Sequence, residues 1–440
     1  MDLYIKKRNI YTFIFLLIYR FVLDFVYAEF VHKLFSYERF SLDFNLNKYL
    51  VSLVYFFVIY YILPKDNKKP SSVFLQLHFI IMIMPMFTMY ALANESNIFM
   101  MLCCVFFIME CLIFRAVPNL KIIKIKNSKK LIYFIIILSS SFVYFSMIKA
   151  NGIPSLKALN LNKVYEVRAM VKYPFLMAYL VPWQAKIVNP FLITTSYIKR
   201  NRIVFFFSIF LQILLYLIAA HKTFLFIPLA IIIVLIILKK KDFFSLGSCF
   251  APLGEISAFL VHKVFNNIII PSIVIRRFLF VPAQLRFFFY DFFSKHEFLY
   301  FSEGTIGKVL NRNSPYSIRA AYMIGGLYFD NFVVSANTGY LADAYANMGV
   351  FGMFIMSLLF SFILIFINSV SKNIDKELVI GMCLFSILSL NDGALLTNLL
   401  TGGMLLLLIL LYLYSNIEEE RVQNRNEKNC ITNNDTDYIF

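Results

Sequence analysis

Three kinds of side chain in this sequence are equipped for chemistry. The first is a set of cations: Arg168, Lys222, Arg276, Arg277, Arg286 and Arg312. A guanidinium grips an anion through paired, charge-assisted hydrogen bonds, and phosphate oxygens match that geometry. The second is a set of carboxylates, Glu166, Asp291 and Asp343, each able to take up a proton, with His296 as a weaker fourth. The third is a group of neutral polar residues: Tyr165, Tyr290 and Asn337. Asn337 leads into Thr338-Gly339, where glycine permits a tight turn or the close approach of a ligand. Taken singly, each arginine is as well explained by snorkelling, and Asn337 or Thr338 by helix capping. Taken together, cations, acids and phenols predict a site for an anionic ligand with a proton acceptor nearby.

Most of these residues fall between Pro271 and Gly352, where an otherwise apolar chain is interrupted. Within it, Arg286, Tyr290 and Ser294 recur at helical spacing, and Asp291 and Lys295 are four apart. Gln284 to His296 is therefore expected to form an aromatic helix lying in or just below a membrane interface.

The surrounding elements follow from composition. Of 440 residues, 60% are hydrophobic and 15% charged, and 51 are phenylalanine. A soluble fold could not hide so much apolar surface. Apolar runs of about 20 residues recur, each long enough as a helix to cross a bilayer. The fold class is all-α: a polytopic membrane protein with about 12 spans, a single helical domain over 1–414 and a polar tail over 415–440. A transmembrane β-barrel would instead show short alternating strands. Span 1 (10–27) carries Arg20 and Asp24 on one face, read as a structural pair inside the bundle. Span 6 (175–198) contains Pro182 and Pro190 and is expected to be kinked or partly unwound. Span 9 is expected either over 243–262, despite Gly247, Pro252, Gly254 and Glu255, or later, ending near Arg276.

The formal net charge is +17, from 42 Lys+Arg against 25 Asp+Glu. Much of the excess lies in short loops such as Lys65–Lys69, Lys121–Lys130, Lys199–Arg202 and Lys239–Lys241, the bias of cytoplasmic loops rather than of a nucleic-acid binder. Both termini are then expected in the cytoplasm, with external loops over about 151–174 and 276–338. On that face the cations named above are in excess of what topology alone predicts. The six cysteines show neither C-x-x-C nor ligand spacing, so neither disulfide nor metal is expected. Walker, dinucleotide, zinc-protease and serine-hydrolase motifs are absent from the sequence, so no cofactor is expected. A substrate that carries its own energy within the membrane fits this pattern.

At five short segments the chain resembles the bacterial oligosaccharide repeat-unit polymerases, the Wzy-type O-antigen and capsule polymerases. They are Val164-Tyr165-Glu166-Val167-Arg168, His221-Lys222-Thr223-Phe224, Arg276-Arg277 through Pro282-Ala283, Tyr290-Asp291-Phe292-Phe293-Ser294, and Asn337-Thr338-Gly339-Tyr340 with Asp343-Ala344-Tyr345. The resemblance covers the C-terminal two-thirds of the chain. It implies a metal-independent glycosyltransferase of the bacterial inner membrane, acting on its outer face. The growing glycan on undecaprenyl pyrophosphate would be donor and a single lipid-linked repeat unit the acceptor, giving O-antigen or capsular polysaccharide. Arg168, Lys222, Arg276, Arg277 and Arg286 would hold the pyrophosphate, Glu166, Asp291 or Asp343 would take the proton, Tyr165 and Tyr290 would line the sugar path, and Asn337 would bind substrate. Membrane lipid, a chain-length regulator and a flippase would be its partners. An O-antigen ligase shares donor and cations but needs another acceptor; a flippase for the same lipids is the rival outside enzymology. The long Pro271–Gly339 stretch and the absence of internal repeats speak against the flippase.

Overall fold

The computed structural model describes residues 2–66, 69–152, 154, 156–159, 164–239, 243–309 and 311–434. Among them all regular secondary structure is helical, without a β-strand. Seven helices are long and apolar enough to cross a membrane, and the shorter Leu46–Ile62, Lys222–Leu238 and Ala320–Phe329 are also apolar. The chain therefore has the architecture of a helical membrane protein.

In chain order the main helices are α1 (Asp2–Val26, prolonged through the π-helical Tyr27–His32 to Glu38), α2 (Leu46–Ile62), α3 (Pro70–Leu92) and α4 (Asn97–Ala116). Then come α5 (Ser128–Asn151), α6 (residues 177–198), α7 (Arg202–Ala219), α8 (Lys222–Leu238) and α9 (Phe243–Phe265). The last are α10 (residues 269–293), α11 (Ala320–Phe329), α12 (Tyr340–Val370), α13 (Lys376–Leu388) and α14 (Met404–Asn434). Polar side chains close several starts: Asn45 accepts from Lys48 N at 3.2 Å, Ser96 from Phe99 N at 3.4 Å and Asn201 from Val204 N at 3.2 Å.

Three prolines shape the long helices in the same way. The π-helical segments Phe79–Ile83, Gln184–Val188 and Ser272–Phe280 each end two residues before a proline, Pro85, Pro190 and Pro282. Proline lacks an N–H and crowds the carbonyl four residues back; a widened turn just ahead of it relieves both problems without breaking the helix. The irregularity expected in span 6 thus takes the form of a π segment. Residues 243–265 are helical despite Gly247 and Pro252.

The largest departure from expectation is α10. Residues 276–293, read from the sequence as the start of a long loop, belong to this continuous helix. Within Gln284–His296 the helix ends at Phe293; Gln284 to Phe289 are buried, while Asp291 and Ser294 to His296 are exposed.

The chain divides into two compact units. The first comprises Met1–Pro118, Lys240–Leu364 and Ile387–Asn398, and the second Asn119–Lys239, Ile365–Ser386 and Leu399–Phe440. In the first, α1 packs along α9, α2 lies against α3 and α4, and α10 against α3. Arg20 is buried there and donates to Asp24, to Thr88 Oγ1 at 2.9 Å, to Ser52 Oγ at 3.4 Å and to the Phe87 carbonyl at 3.3 Å. In the second, α5 packs on α14 and α6, while α7 contacts α6 and α8.

Candidate functional site

Within the first unit the helix ends sort by polarity. At one end, α2 approaches Arg115, which donates to the Leu63 carbonyl at 3.1 Å, and Lys69 stands over the Phe114 ring. The opposite end gathers the close of α1, α3 and α10 and the start of α2, α4 and α12. Asp43 N donates to Leu92 O at 2.7 Å, Lys48 reaches the Asn94 and Glu95 carbonyls, and Leu299 N reaches Ala346 O at 2.9 Å. This second end is acidic and aromatic, and a cavity of about 430 Å³ opens in it.

The cavity is walled by four stretches of the chain. From 289–304 and 319–322 come Phe289, Phe301, Glu303, Arg319 and Tyr322; from the start of α12 come Asn337, Thr338, Asp343 and Asn347; from the turn after α13 come Asp392 and Gly393. Asn347 is the keystone of one wall. Its amide donates to Asp343 O at 2.8 Å, while its carbonyl accepts from Phe301 N at 2.8 Å. Glu303 accepts from Ala320 N at 2.7 Å. Burial, against the pull of that N–H and of Arg319, raises its carboxyl above the ordinary range. Thr338 is 4% exposed, and its hydroxyl has no hydrogen-bond partner in the protein. Among the described residues the lining sets Glu303, Asp343 and Asp392 against one cation, Arg319. Such a lining repels a diphosphate and suits neutral hydroxyl groups, which donate to carboxylates while their apolar faces rest on rings.

The residues singled out from the sequence divide accordingly. Asp343 and Asn337 line the cavity. Arg286 does not line it; it is fully buried and donates through Nη2 to both the carbonyl and the side-chain oxygen of Asn391, each at 2.5 Å. Gly339 makes room for it, since a Cβ there would stand 2.8 Å from Arg286 Nε. Arg276 is paired with Glu38, donates to Ser272 Oγ at 3.0 Å and lies over the Phe35 ring. Arg277 is exposed beside Ile273, Val274 and Phe278. These three arginines therefore share no cavity: one is spent on an acid, one supports a loop and one faces outward. Arg312 donates to Tyr300 O at 3.0 Å.

Asp291 has both carboxylate oxygens engaged, by Lys295 at 2.5 Å and by the Tyr328 hydroxyl at 2.5 Å. Partial burial would raise its pKa, but those two hydrogen bonds outweigh it and hold the carboxyl below the ordinary aspartate range. Tyr290 is stacked on Phe99 at 4.9 Å and meets the tilted ring of Tyr345 at 4.8 Å. His296 is stacked on Phe292 at 4.0 Å.

Sequence reading passed over Glu303, Arg319 and Asp392 in the cavity, and Glu95 at the same end of the unit. Glu95 is half-buried, and burial, then the charge of Asp291, push its carboxyl up to about 8, with Lys48 opposing. An acid in the four-residue loop between two apolar runs was the available signal.

In the second unit, Glu166 and Arg168 are exposed on the short helix Val164–Met170. Of Tyr165 only the backbone, in the same helix, belongs to the described structure. Lys222 opens α8, directly after His221. Burial, then the charges of Arg168 and Lys186, bring the His221 imidazole down to about 4. Lys186, whose charge acts on His221 together with that of Arg168, is a residue the sequence did not indicate. Among the described residues no group of His, Cys, Asp or Glu is arranged to hold a metal ion.

No protein-family model, curated protein or solved structure matches the chain. The site must be read from its own chemistry.

Proposed function

We propose that this chain is a membrane glycosyltransferase that polymerises undecaprenyl-pyrophosphate-linked oligosaccharide repeat units, into O-antigen or capsular polysaccharide, at the outer face of the bacterial cytoplasmic membrane. The observation that carries the reading is the cavity at the polar end of the first unit, where carboxylates, amides and aromatic rings converge around about 430 Å³. That lining is suited to a sugar, and Lys69 and Arg115 lie at the unit's other end, as charge bias across a bacterial membrane would have it.

The chemistry assigned to the cavity is acceptance of a proton. An acceptor hydroxyl attacks the anomeric carbon of the donor; the new C–O bond forms as the bond to pyrophosphate breaks, and the electron pair leaves with undecaprenyl pyrophosphate. Asp343 takes the hydroxyl proton. It is preferred over Asp291, whose oxygens are both hydrogen-bonded within the protein. Arg276 and Arg286 are not assigned to the departing diphosphate, because their guanidinium groups are committed to Glu38 and Asn391.

The test is reconstitution of the purified protein in liposomes with lipid-linked repeat units as the only sugar substrate. A ladder of extended glycans supports the proposal. Extension only after a lipid A core is supplied makes the chain a ligase, and movement of intact units across the bilayer without extension makes it a flippase; either result overturns it.

A further inference from the structure

We propose that the second unit holds a groove for one anionic phospholipid between α5 and α7, independent of the proposed glycosyl transfer. At the ends that carry Lys129 and Arg202 these helices leave a groove of about 220 Å³ above α6 and α14. Its walls are apolar, with Ile132, Ile136, Phe191 and Leu192 along its length, and its mouth carries Lys129 and Lys199.

The surroundings name the class of occupant. On one flank Tyr133 and Phe134 are 56% and 61% exposed, and on the other Ile203 and Phe206 are 84% and 66% exposed. Both helices are apolar and long enough to cross a membrane, so these outward rings and branched chains are surfaces for lipid. Whatever enters the groove arrives from the bilayer.

Charge at the mouth then selects among lipids. Lys129 is exposed and has no acidic partner among the described residues. Lys199 is 3.5 Å from Glu418 and stands over the Tyr414 ring, which fixes its ammonium at the groove's edge. Lys130, Arg200 and Arg202 follow in the adjoining turns and raise the local potential further. An acyl chain along Ile132 and Ile136 would set its phosphate between Lys129 and Lys199, where a zwitterionic headgroup gains less.

Native mass spectrometry of the detergent-released protein, titrated with phosphatidylglycerol or phosphatidylcholine, tests this. One phosphatidylglycerol should be retained in preference to phosphatidylcholine. Lys129→Gln should weaken that retention about fivefold, and Lys129→Arg should restore it. Ile136→Trp, which fills the groove, should remove the adduct for both lipids. Glycerol 3-phosphate, a headgroup without chains, should not displace it. Equal retention of the two lipids, or wild-type retention in Lys129→Gln, overturns the proposal. Displacement by glycerol 3-phosphate also overturns it, because the site would then bind only an anion. Lys129 is exposed, so its variants keep the test open if Ile136→Trp does not fold.

Discussion

Arg286 and Asn391 are joined twice: one guanidinium nitrogen, Nη2, donates to both the backbone and the side-chain oxygen of Asn391, each at 2.5 Å. Asn391 in turn donates to Phe278 O at 3.0 Å, about two turns earlier on the same helix that carries Arg286. The following residues, Asp392 and Gly393, line the cavity. A buried cation thus works as a strut for an acidic wall. Its Nε and Nη1 have no hydrogen-bond partner, so the position is costly and Asn391 is the contact that offsets it.

Gly339→Ala tests this strut from the other side. The added methyl would lie 2.8 Å from both Arg286 Nε and Asn391 O. We expect a loss of about 1–3 kcal/mol of stability, measured by thermal unfolding in detergent, with the 388–394 turn more readily cleaved by protease. Unchanged stability and protection would show that the guanidinium is not held there.

The Arg20–Asp24 pair gives a second prediction. Arg20 is 0% exposed and also holds Thr88, Ser52 and the Phe87 carbonyl, so Asp24 compensates a charge that cannot reach water. Asp24→Leu should cost about 3–5 kcal/mol, whereas the double change Arg20→Leu with Asp24→Leu should recover much of it. A double variant no better than the single one would contradict a purely structural pair.

Glu95 makes stability depend on pH. Its folded-state pKa, about 8, lies above the ordinary carboxyl value of 4.5, so the folded protein binds this proton more tightly than the unfolded chain. That contribution is fully present below about 4.5 and is lost as pH rises through 8. Glu95→Gln should match the wild type at low pH and exceed it at pH 9 by on the order of 1–3 kcal/mol. The check is paired melting curves between pH 5 and 9; parallel curves would place Glu95 in water.

Much of the fold could be read from the chain, and the reasons are local. Apolar runs became helices because each supplies its own backbone hydrogen bonds. Pro190 marked a widened turn, and the same rule extends to Pro85 and Pro282. The four-residue spacing of Arg20 and Asp24 brought them together as expected. What could not be read depends on partners far away in sequence. Arg276-Arg277 and two prolines lowered the hydropathy of α10, so it resembled a loop; Arg276 is accommodated by Glu38, 238 residues earlier, and Arg286 by Asn391, 105 residues later. No window along the chain contains either contact.

The cavity was half visible. Asn337 and Asp343 stood out because a polar turn meets an apolar run there. Glu303 and Asp392 did not, because Ser302-Glu303-Gly304 and Asn391-Asp392-Gly393 have the composition of ordinary turns. Only folding brings these turns to the same hollow as Asp343.

The decisive experiment compares Asp343→Asn with Asp291→Asn in liposomes supplied with lipid-linked repeat units alone. Asp343 faces the cavity, while both Asp291 oxygens are hydrogen-bonded to Lys295 and Tyr328. Asp343→Asn should slow glycan extension about 10²–10⁴-fold with melting temperature unchanged, and Asp291→Asn should retain extension within about tenfold of the wild type. Wild-type chain growth in Asp343→Asn, or loss of growth in Asp291→Asn alone, would contradict the assignment of the cavity as the place where the acceptor proton is taken.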